Sequence, residues 1–188
     1  TLADSLRVRG DLTISSGALE AGSYPIFVGD EWNNTVGSAG FSEGTGKVVF
    51  NGGDYHQYCS NETFNILEVD KPLGGAFRVD GTTVTCASYD WTAGAVDVLS
   101  GTFTANDLTD SGIAGNYYVN PGGTINLYNT SGWVDLLGYL YIYGGNFNVY
   151  GGNGSDSYWP YVSDAGGTMT GGVLDFKNVG IYVYNATG

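Results

Sequence analysis

Few side chains in this sequence could take part in acid–base or nucleophilic catalysis. His56 is the only histidine, and no nucleophile-elbow pattern accompanies it, so a Ser-His-Asp or Cys-His arrangement is not indicated. Because His56 lies in a glycine-rich turn region, we expect it to be a surface residue. The six basic residues are scattered along the chain and nominate no base for a lyase. The sequence therefore predicts no catalytic residue, and we expect the chain not to be an enzyme.

The carboxylates suggest one place for a metal ion. Asp107 and Asp110 lie in one turn beside Asn106, and carboxylate and amide oxygens are ligands that calcium prefers. The spacing is not that of an EF-hand, and Asp and Asn in turns commonly cap the backbone. Calcium at Asp107 and Asp110 is thus one interpretation and backbone capping the other, and no further cofactor is expected. Two cysteines without CxxC spacing exclude a Cys/His metal site.

Aromatic side chains are the stronger indication of a binding surface. The chain has 15 Tyr and four Trp, and alternation along strands predicts that many of them face outward. Outward rings could stack on sugars, bury against another protein, or simply stack on one another along the fold. The candidate ligand or partner surface comprises Trp133, Tyr139, Tyr141, Tyr143, Tyr158, Trp159, Tyr182 and Tyr184.

Five Asn-x-Ser/Thr sequons occur in the sequence. Such sequons are acceptors of N-linked glycans on surface loops of secreted proteins. They predict glycosylation at Asn33, Asn61, Asn129, Asn153 and Asn185.

A glycine-centred repeat indicates how these residues are positioned. Apolar residues alternate on both sides of a central glycine, and copies of this frame centre on Gly17, Gly101, Gly123 (a partial copy, with the apolar residues on its C-terminal side only) and Gly145. The last three glycines are evenly spaced, which is typical of a solenoid whose coils bury their inner face against neighbouring coils. We predict one all-β domain over residues 1–188, a right-handed parallel β-helix (β-solenoid) with three short strands in each coil of roughly 22 residues. A β-sandwich is the alternative.

The repeat also predicts which side chains stack. Leu19, Phe103, Ile125, Phe147 and Leu174 occupy one offset from their glycines and should lie stacked inside, whereas Asn126 and Asn148 should form an outward ladder.

The two cysteines could be cross-linked in such a stack. The stretch from Cys59 to Cys86 has the length of one coil plus a small insertion. Adjacent coils lie about 4.8 Å apart, within reach of a disulfide. We predict a bridge between adjacent coils, with two buried thiols as the alternative.

The charge limits the choice of partners. The net charge is −13, which repels nucleic acid and anionic membranes. No apolar run reaches the roughly 18–20 residues that would span a bilayer, so membrane insertion is not expected.

Several segments together resemble a known group of proteins. These are Gly10–Ile14, Gly29–Asn34, Gly44–Gly52, Thr63–Leu67, Gly122–Tyr128, Ser157–Tyr161 and Met169–Phe176. They are similar to the repetitive β-helix regions of large secreted surface proteins of Bacteroidota-like bacteria, which often carry a sorting domain for type IX secretion. The resemblance implies an extracellular or cell-surface location and a segment of a longer chain.

Two functions are compatible with these observations. The first is a non-enzymatic structural or adhesive solenoid: a surface stalk, an adhesin segment or a filament subunit. It would contact other copies or flanking coils of the parent chain, because Leu6–Gly10 and Ile181–Tyr184 leave the stack without a helical or polar cap at either end. Glycans are a further candidate partner, since the outward aromatic rings could stack on sugars. The alternative is a β-helix that binds or cleaves polysaccharides, which predicts a concave cleft on one strand face.

Overall fold

The computed structural model describes almost all of the N-terminal two thirds of the chain and most of the coils that follow. The described residues are 1–53, 55–72, 74–108, 112–113, 115–128, 135–136, 138–150, 161–163, 167–177 and 182–184. They form strands, turns and bends, and no helix long and apolar enough to span a membrane occurs among them. Every strand pair within these ranges is parallel, which confirms the predicted β-solenoid.

Three strands make up each coil and give the solenoid three faces. Face 1 contains β1 (Leu6–Val8), β4 (Ile26–Val28), β7 (Lys47–Phe50) and the second halves of β9 (Glu62–Asp70) and β11 (Thr82–Ala93). In later coils a separate four-stranded sheet occupies the position between face 3 and face 2 that face 1 has in the earlier coils. Its strands are β14 (Gly112–Ile113), β17 (Asp135–Leu136), β19 (Tyr161–Ser163) and β21 (Tyr182–Tyr184).

Faces 2 and 3 complete each coil. Face 2 contains β2 (Leu12–Ile14), β5 (Trp32–Asn34), β8 (His56–Tyr58), β10 (Ala76–Val79), β12 (Ala95–Val98), β15 (Asn116–Val119) and the first halves of β18 (Leu140–Tyr150) and β20 (Gly167–Lys177). Face 3 contains β3 (Leu19–Glu20), β6 (Phe41–Ser42), the first halves of β9 and β11, β13 (Gly101–Ala105), β16 (Gly123–Tyr128) and the second halves of β18 and β20.

The inner column of face 3 follows the predicted spacing. Phe103 is in register with Ile125, Ile125 with Phe147, and Phe147 with Leu174. The first three side chains are fully buried, whereas Leu174, on β20, is 39% exposed. Leu19, on β3, pairs in parallel with Phe41 in a separate two-stranded sheet and packs, partly buried, against the core.

The repeated glycine has a steric reason. Gly101 has a φ of +88°, and a Cβ atom there would lie 2.1 Å from the carbonyl oxygen of Thr82 in the preceding coil. Its register partner is Gly123, so two glycines meet where successive coils turn onto face 3. A side chain at this corner would combine a strained backbone with a clash against the coil below.

The outward ladder of face 3 is also as predicted. The Asn148 side-chain amide donates to Asn126 Oδ1 at 2.8 Å, and Asn126 Nδ2 donates to Thr104 Oγ1 at 3.3 Å. The three side chains occupy register positions on consecutive coils, so their polar groups are satisfied along the stack.

The predicted disulfide is wrong, because both cysteines are free, buried thiols. Cys86 is in register with Phe64 of the preceding coil, and not with Cys59. Cys59 follows β8 and forms a parallel bridge with Trp32, so it belongs to face 2. The number of residues between the two cysteines is compatible with one coil plus an insertion. However, Cys59 lies on face 2 and Cys86 on face 3, so the two side chains are not stacked on each other.

Both thiols are expected to be unreactive in the folded protein. Burial raises the pKa of Cys59 and of Cys86, and the thiolate is the reactive form. We expect iodoacetamide to modify both residues only after unfolding, with an intact mass equal to that of the unbridged chain. A mass lower by two hydrogens in the non-reduced protein would contradict this structure.

Candidate functional site

A groove of about 520 Å³ runs across the outer side of face 2. Most of its lining comes from five successive strands of face 2, β8, β10, β12, β15 and β18, and from the turns beside them, and Trp91 at the end of β11 also lines it. Its floor is made of small residues: Ala76 and Ala95 are in register, and Gly75, Gly94 and Gly115 continue the floor. Because these positions carry at most a methyl group, the outer surface is concave here.

One side of the groove is aromatic. The Trp91 indole donates from Nε1 to the carbonyl of Gly94 at 3.2 Å. It packs so closely on Gly115 that a Cβ atom there would lie 2.4 Å from Nε1, which fixes the ring against the backbone. Tyr55, which is 63% exposed, packs edge-on against His56.

A polar network forms the other side. Arg78 Nε donates to Asp97 Oδ2 at 2.9 Å, and Arg78 also donates to the hydroxyl of Tyr58 at 3.0 Å. Asn120 Nδ2 donates to Asp97 Oδ1 at 2.9 Å. Both carboxylate oxygens of Asp97 are therefore held, and the network fixes hydrogen-bonding groups from four consecutive coils.

Tyrosines continue this side towards β18. Tyr118 and Tyr141 stack with ring centroids 4.8 Å apart and planes 7° apart. Tyr139 and Tyr143 flank Tyr141 at 6.2 Å on either side, with planes within 18°. Tyr139 is 51% and Tyr143 41% exposed. Four nearly parallel rings therefore form a rigid patch, of which Tyr118, Tyr139 and Tyr143 line the groove.

His56 lies at one end of the groove and is half-buried, which corrects the expectation of an ordinary surface residue. Within the described part of the chain, its buried Nδ1 atom has no hydrogen-bond partner. Burial lowers the pKa of His56, and the positive charge of Arg78 lowers it further. The imidazole is therefore neutral at pH 7 and offers hydrogen bonds without charge.

The groove combines a small-residue floor, exposed rings and fixed polar groups, which is the composition of a ligand-binding cleft. Aromatic rings bury the apolar faces of a ligand, whereas amide, hydroxyl and guanidinium groups recognise its polar rim. Asp97 is the one carboxylate among the described lining residues. Glycoside hydrolysis commonly uses two carboxylates that flank the bond, of which the described lining supplies one.

The other predicted sites are only partly described. Asp107 is half-buried, and Asp110 lies outside the described residues; no cluster of three metal-ligating His, Cys, Asp or Glu side chains occurs within them. Asn33 and Asn61 are exposed. The remaining sequons, Asn129, Asn153 and Asn185, lie outside the described residues, as do Trp133, Tyr158 and Trp159. For Tyr182 and Tyr184 the structure describes only the strand β21.

Sequence reasoning found three members of the tyrosine patch, Tyr139, Tyr141 and Tyr143, and missed the rest of the groove. Tyr118, Arg78 and Asp97 alternate with inward-facing residues of face 2, so their outward direction was readable from the sequence. Their proximity was not, because it depends on the register of coils of unequal length.

Comparisons with protein-family models, with curated proteins and with solved structures give no match for this chain.

Proposed function

We propose that this protein is a non-enzymatic, glycan-binding β-solenoid that acts as an adhesive segment at the cell surface or outside the cell. The observation that carries the proposal is the groove on face 2, with its tyrosine patch and its fixed Arg78–Asp97 pair. A sugar ring has apolar C–H faces and a polar rim, and the groove offers a matching surface for each.

Preorganisation supports this function. The rings of Tyr118 and Tyr141 already stack on each other, and the side chains of Arg78 and Asp97 are 20% and 10% exposed and held by hydrogen bonds. Binding therefore orders few additional side chains, which keeps its entropic cost low.

The test is binding to a panel of neutral and acidic polysaccharides by affinity electrophoresis. The double variant Tyr118→Ala with Tyr139→Ala should weaken the affinity for the glycan that binds wild type by at least about tenfold, or about 1.4 kcal/mol. Tyr128 and Tyr150 stack at 4.3 Å on face 3, so Tyr128→Ala with Tyr150→Ala is the matched control and should bind normally. Equal loss in both variants, or no glycan binding by wild type, would reject the proposal.

The same preparations should release no reducing ends or unsaturated products from these glycans. The motivation is that Asp97 is hydrogen-bonded by Arg78 and Asn120 and has no second carboxylate beside it among the described lining residues. Product release that is abolished by Asp97→Asn would overturn the non-enzymatic part of the proposal.

A structural role as a stalk or filament subunit has separate support at β20. Met169 and Leu174 continue the inner columns of faces 2 and 3, yet they are 51% and 39% exposed. Exposed core positions favour packing against another copy or a flanking coil. If another copy covers them, Leu174→Asp should shift a sedimentation profile from larger species to monomer; a wild-type chain that is monomeric at high concentration would exclude self-association.

A further inference from the structure

We propose that the groove accommodates an extended, neutral glycan chain laid along the solenoid axis, about one sugar residue per coil, and that it discriminates against acidic glycans. This inference rests on the glycan-binding function proposed above and names the ligand class for the same site.

The direction of the chain follows from the strands that line the groove. Five strands of face 2 contribute in succession, and their register places Ala76 beside Ala95 and Ala95 beside Asn116. Parallel strands lie about 4.8 Å apart, so four steps extend over roughly 19 Å along the axis. The spacing of about 4.8 Å between neighbouring strands is close to the length of one pyranose unit in an extended β-linked chain. A chain along the axis therefore meets a glycine on four successive coils, at Gly75, Gly94, Gly115 and Gly138. The next position in each coil changes from Ala76 and Ala95 to Asn116, so the floor is flat along the glycines and varied beside them.

The groove also supplies different polar contacts at each step along that direction. His56 lies at one end, the Arg78–Asp97 pair follows on the next two strands, and Asn120 comes next. The tyrosines at 139 and 143 lie at the opposite end. A single sugar could contact only part of this series, so a longer chain should bind more tightly until the groove is filled.

The charge balance argues for a neutral ligand. Arg78 and Asp97 are the charged residues among the described lining residues, and they form an ion pair with each other. Asn120 donates to the second oxygen of Asp97, and His56 is neutral at pH 7 because burial and Arg78 lower its pKa. The described lining residues thus have no net formal charge, and they provide no unpaired positive charge that would attract a carboxylate or sulfate group. A polyanion would also approach a protein of net charge −13, which repels it at long range.

The test measures binding of oligosaccharides by calorimetry, using neutral β-linked gluco-, xylo- and manno-oligosaccharides from disaccharide to hexasaccharide and oligogalacturonates of the same lengths. We expect a neutral series to bind with affinity that rises at least about tenfold from the disaccharide and levels off near the tetra- or pentasaccharide. This affinity should change little with salt, because no net charge is neutralised. Oligogalacturonates should bind at least about tenfold more weakly.

The variant Asp97→Asn tests the charge argument directly. It removes the partner charge and leaves Arg78 positive, so binding of oligogalacturonates should increase at least about tenfold and become salt-sensitive. Thermal melts of the variant check that it is folded. If the variant fails to fold, the inference is still tested by the wild-type protein, through its affinities for longer against shorter oligosaccharides and for neutral against acidic ones.

The outcomes separate the two proposals. Tighter binding of oligogalacturonates by wild type, or affinity that is independent of chain length, overturns this inference and leaves the glycan-binding function intact if the tyrosine variants lose binding. The absence of binding to every glycan overturns both.

Discussion

Phe103→Ala is expected to lower the free energy of unfolding by about 3–5 kcal/mol, the typical cost of removing a fully buried aromatic ring. The Phe103 side chain is 0% exposed and lies in register between Val84 and Ile125. Its ring contacts Phe77 at 6.2 Å and Tyr89 at 5.5 Å between centroids. These partners come from three different strands, so the cavity would open where the faces meet.

The location in the stack makes this variant more damaging than its local contacts suggest. In a solenoid each coil is stabilised only by its own contacts and by its neighbours. Phe103 lies in a coil that has described coils on both sides, so its loss weakens two interfaces. A terminal coil would weaken one.

The measurement is denaturant unfolding followed by circular dichroism and by tyrosine and tryptophan fluorescence. Thr102→Ala is the matched control, because Thr102 is the preceding residue on the same strand and points outward, half-buried. We expect it to cost less than about 1 kcal/mol. Comparable losses in the two variants would show that the inner column of face 3 does not contribute as this packing requires.

The sequence was informative where the coil length is constant. The step from Phe103 to Ile125 is as long as the step from Ile125 to Phe147, and periodicity alone was enough to place the inner column and the Asn126–Asn148 ladder. The period of two then separated inward from outward side chains, which is why the exposed tyrosines 139 and 143 were identified correctly.

The prediction was wrong where coil length varies. The coil from Val84 to Phe103 is shorter than the next one, from Phe103 to Ile125, so a spacing in sequence does not define a position on the coil. A disulfide between adjacent coils was therefore predicted for Cys59 and Cys86, although they lie on different faces. The groove was missed for the same reason, since its members come from several strands and are seen to meet only when the register is known.

Buried polar groups are a second feature that hydrophobic patterning cannot show. Lys71 is 0% exposed, and its Nζ donates to the carbonyl of Gly52 at 2.9 Å and to Gln57 Oε1 at 2.7 Å. Gln57 is equally buried and donates to the carbonyls of Val28 and Asp30 at 3.0 and 2.7 Å. These contacts connect consecutive coils through side chains that replace the regular strand pairing at a turn.

Lys71→Met is therefore expected to destabilise the protein by at least about 2–4 kcal/mol, because at least two buried acceptors, the Gly52 carbonyl and Gln57 Oε1, lose their donor. Methionine preserves much of the side-chain volume but has no donor, so the Gly52 carbonyl and Gln57 Oε1 both lose a buried, charge-assisted hydrogen bond. Each buried acceptor left without its donor costs about 1–3 kcal/mol. In the variant, Gln57 Oε1 still accepts a hydrogen bond from the Gly52 amide at 3.2 Å. The expected loss from these two acceptors is therefore smaller than twice the maximum cost of one unsatisfied acceptor.

Lys47→Met is the control, because the same substitution there removes an ion pair with Glu68 from a side chain that is 40% exposed. The Glu68 side chain is 12% exposed and still accepts a hydrogen bond from Thr92 at 3.2 Å, so losing this half-buried pair is expected to cost about 1 kcal/mol, at the upper end for surface pairs. The Lys47 variant should therefore unfold closer to the wild-type denaturant midpoint than the Lys71 variant does. Equal midpoints would mean that the Lys71 network does not hold the coils together. A lowered midpoint for Lys71→Met alone attributes the loss to burial of the polar network, since both variants remove one positive charge and add the same side chain.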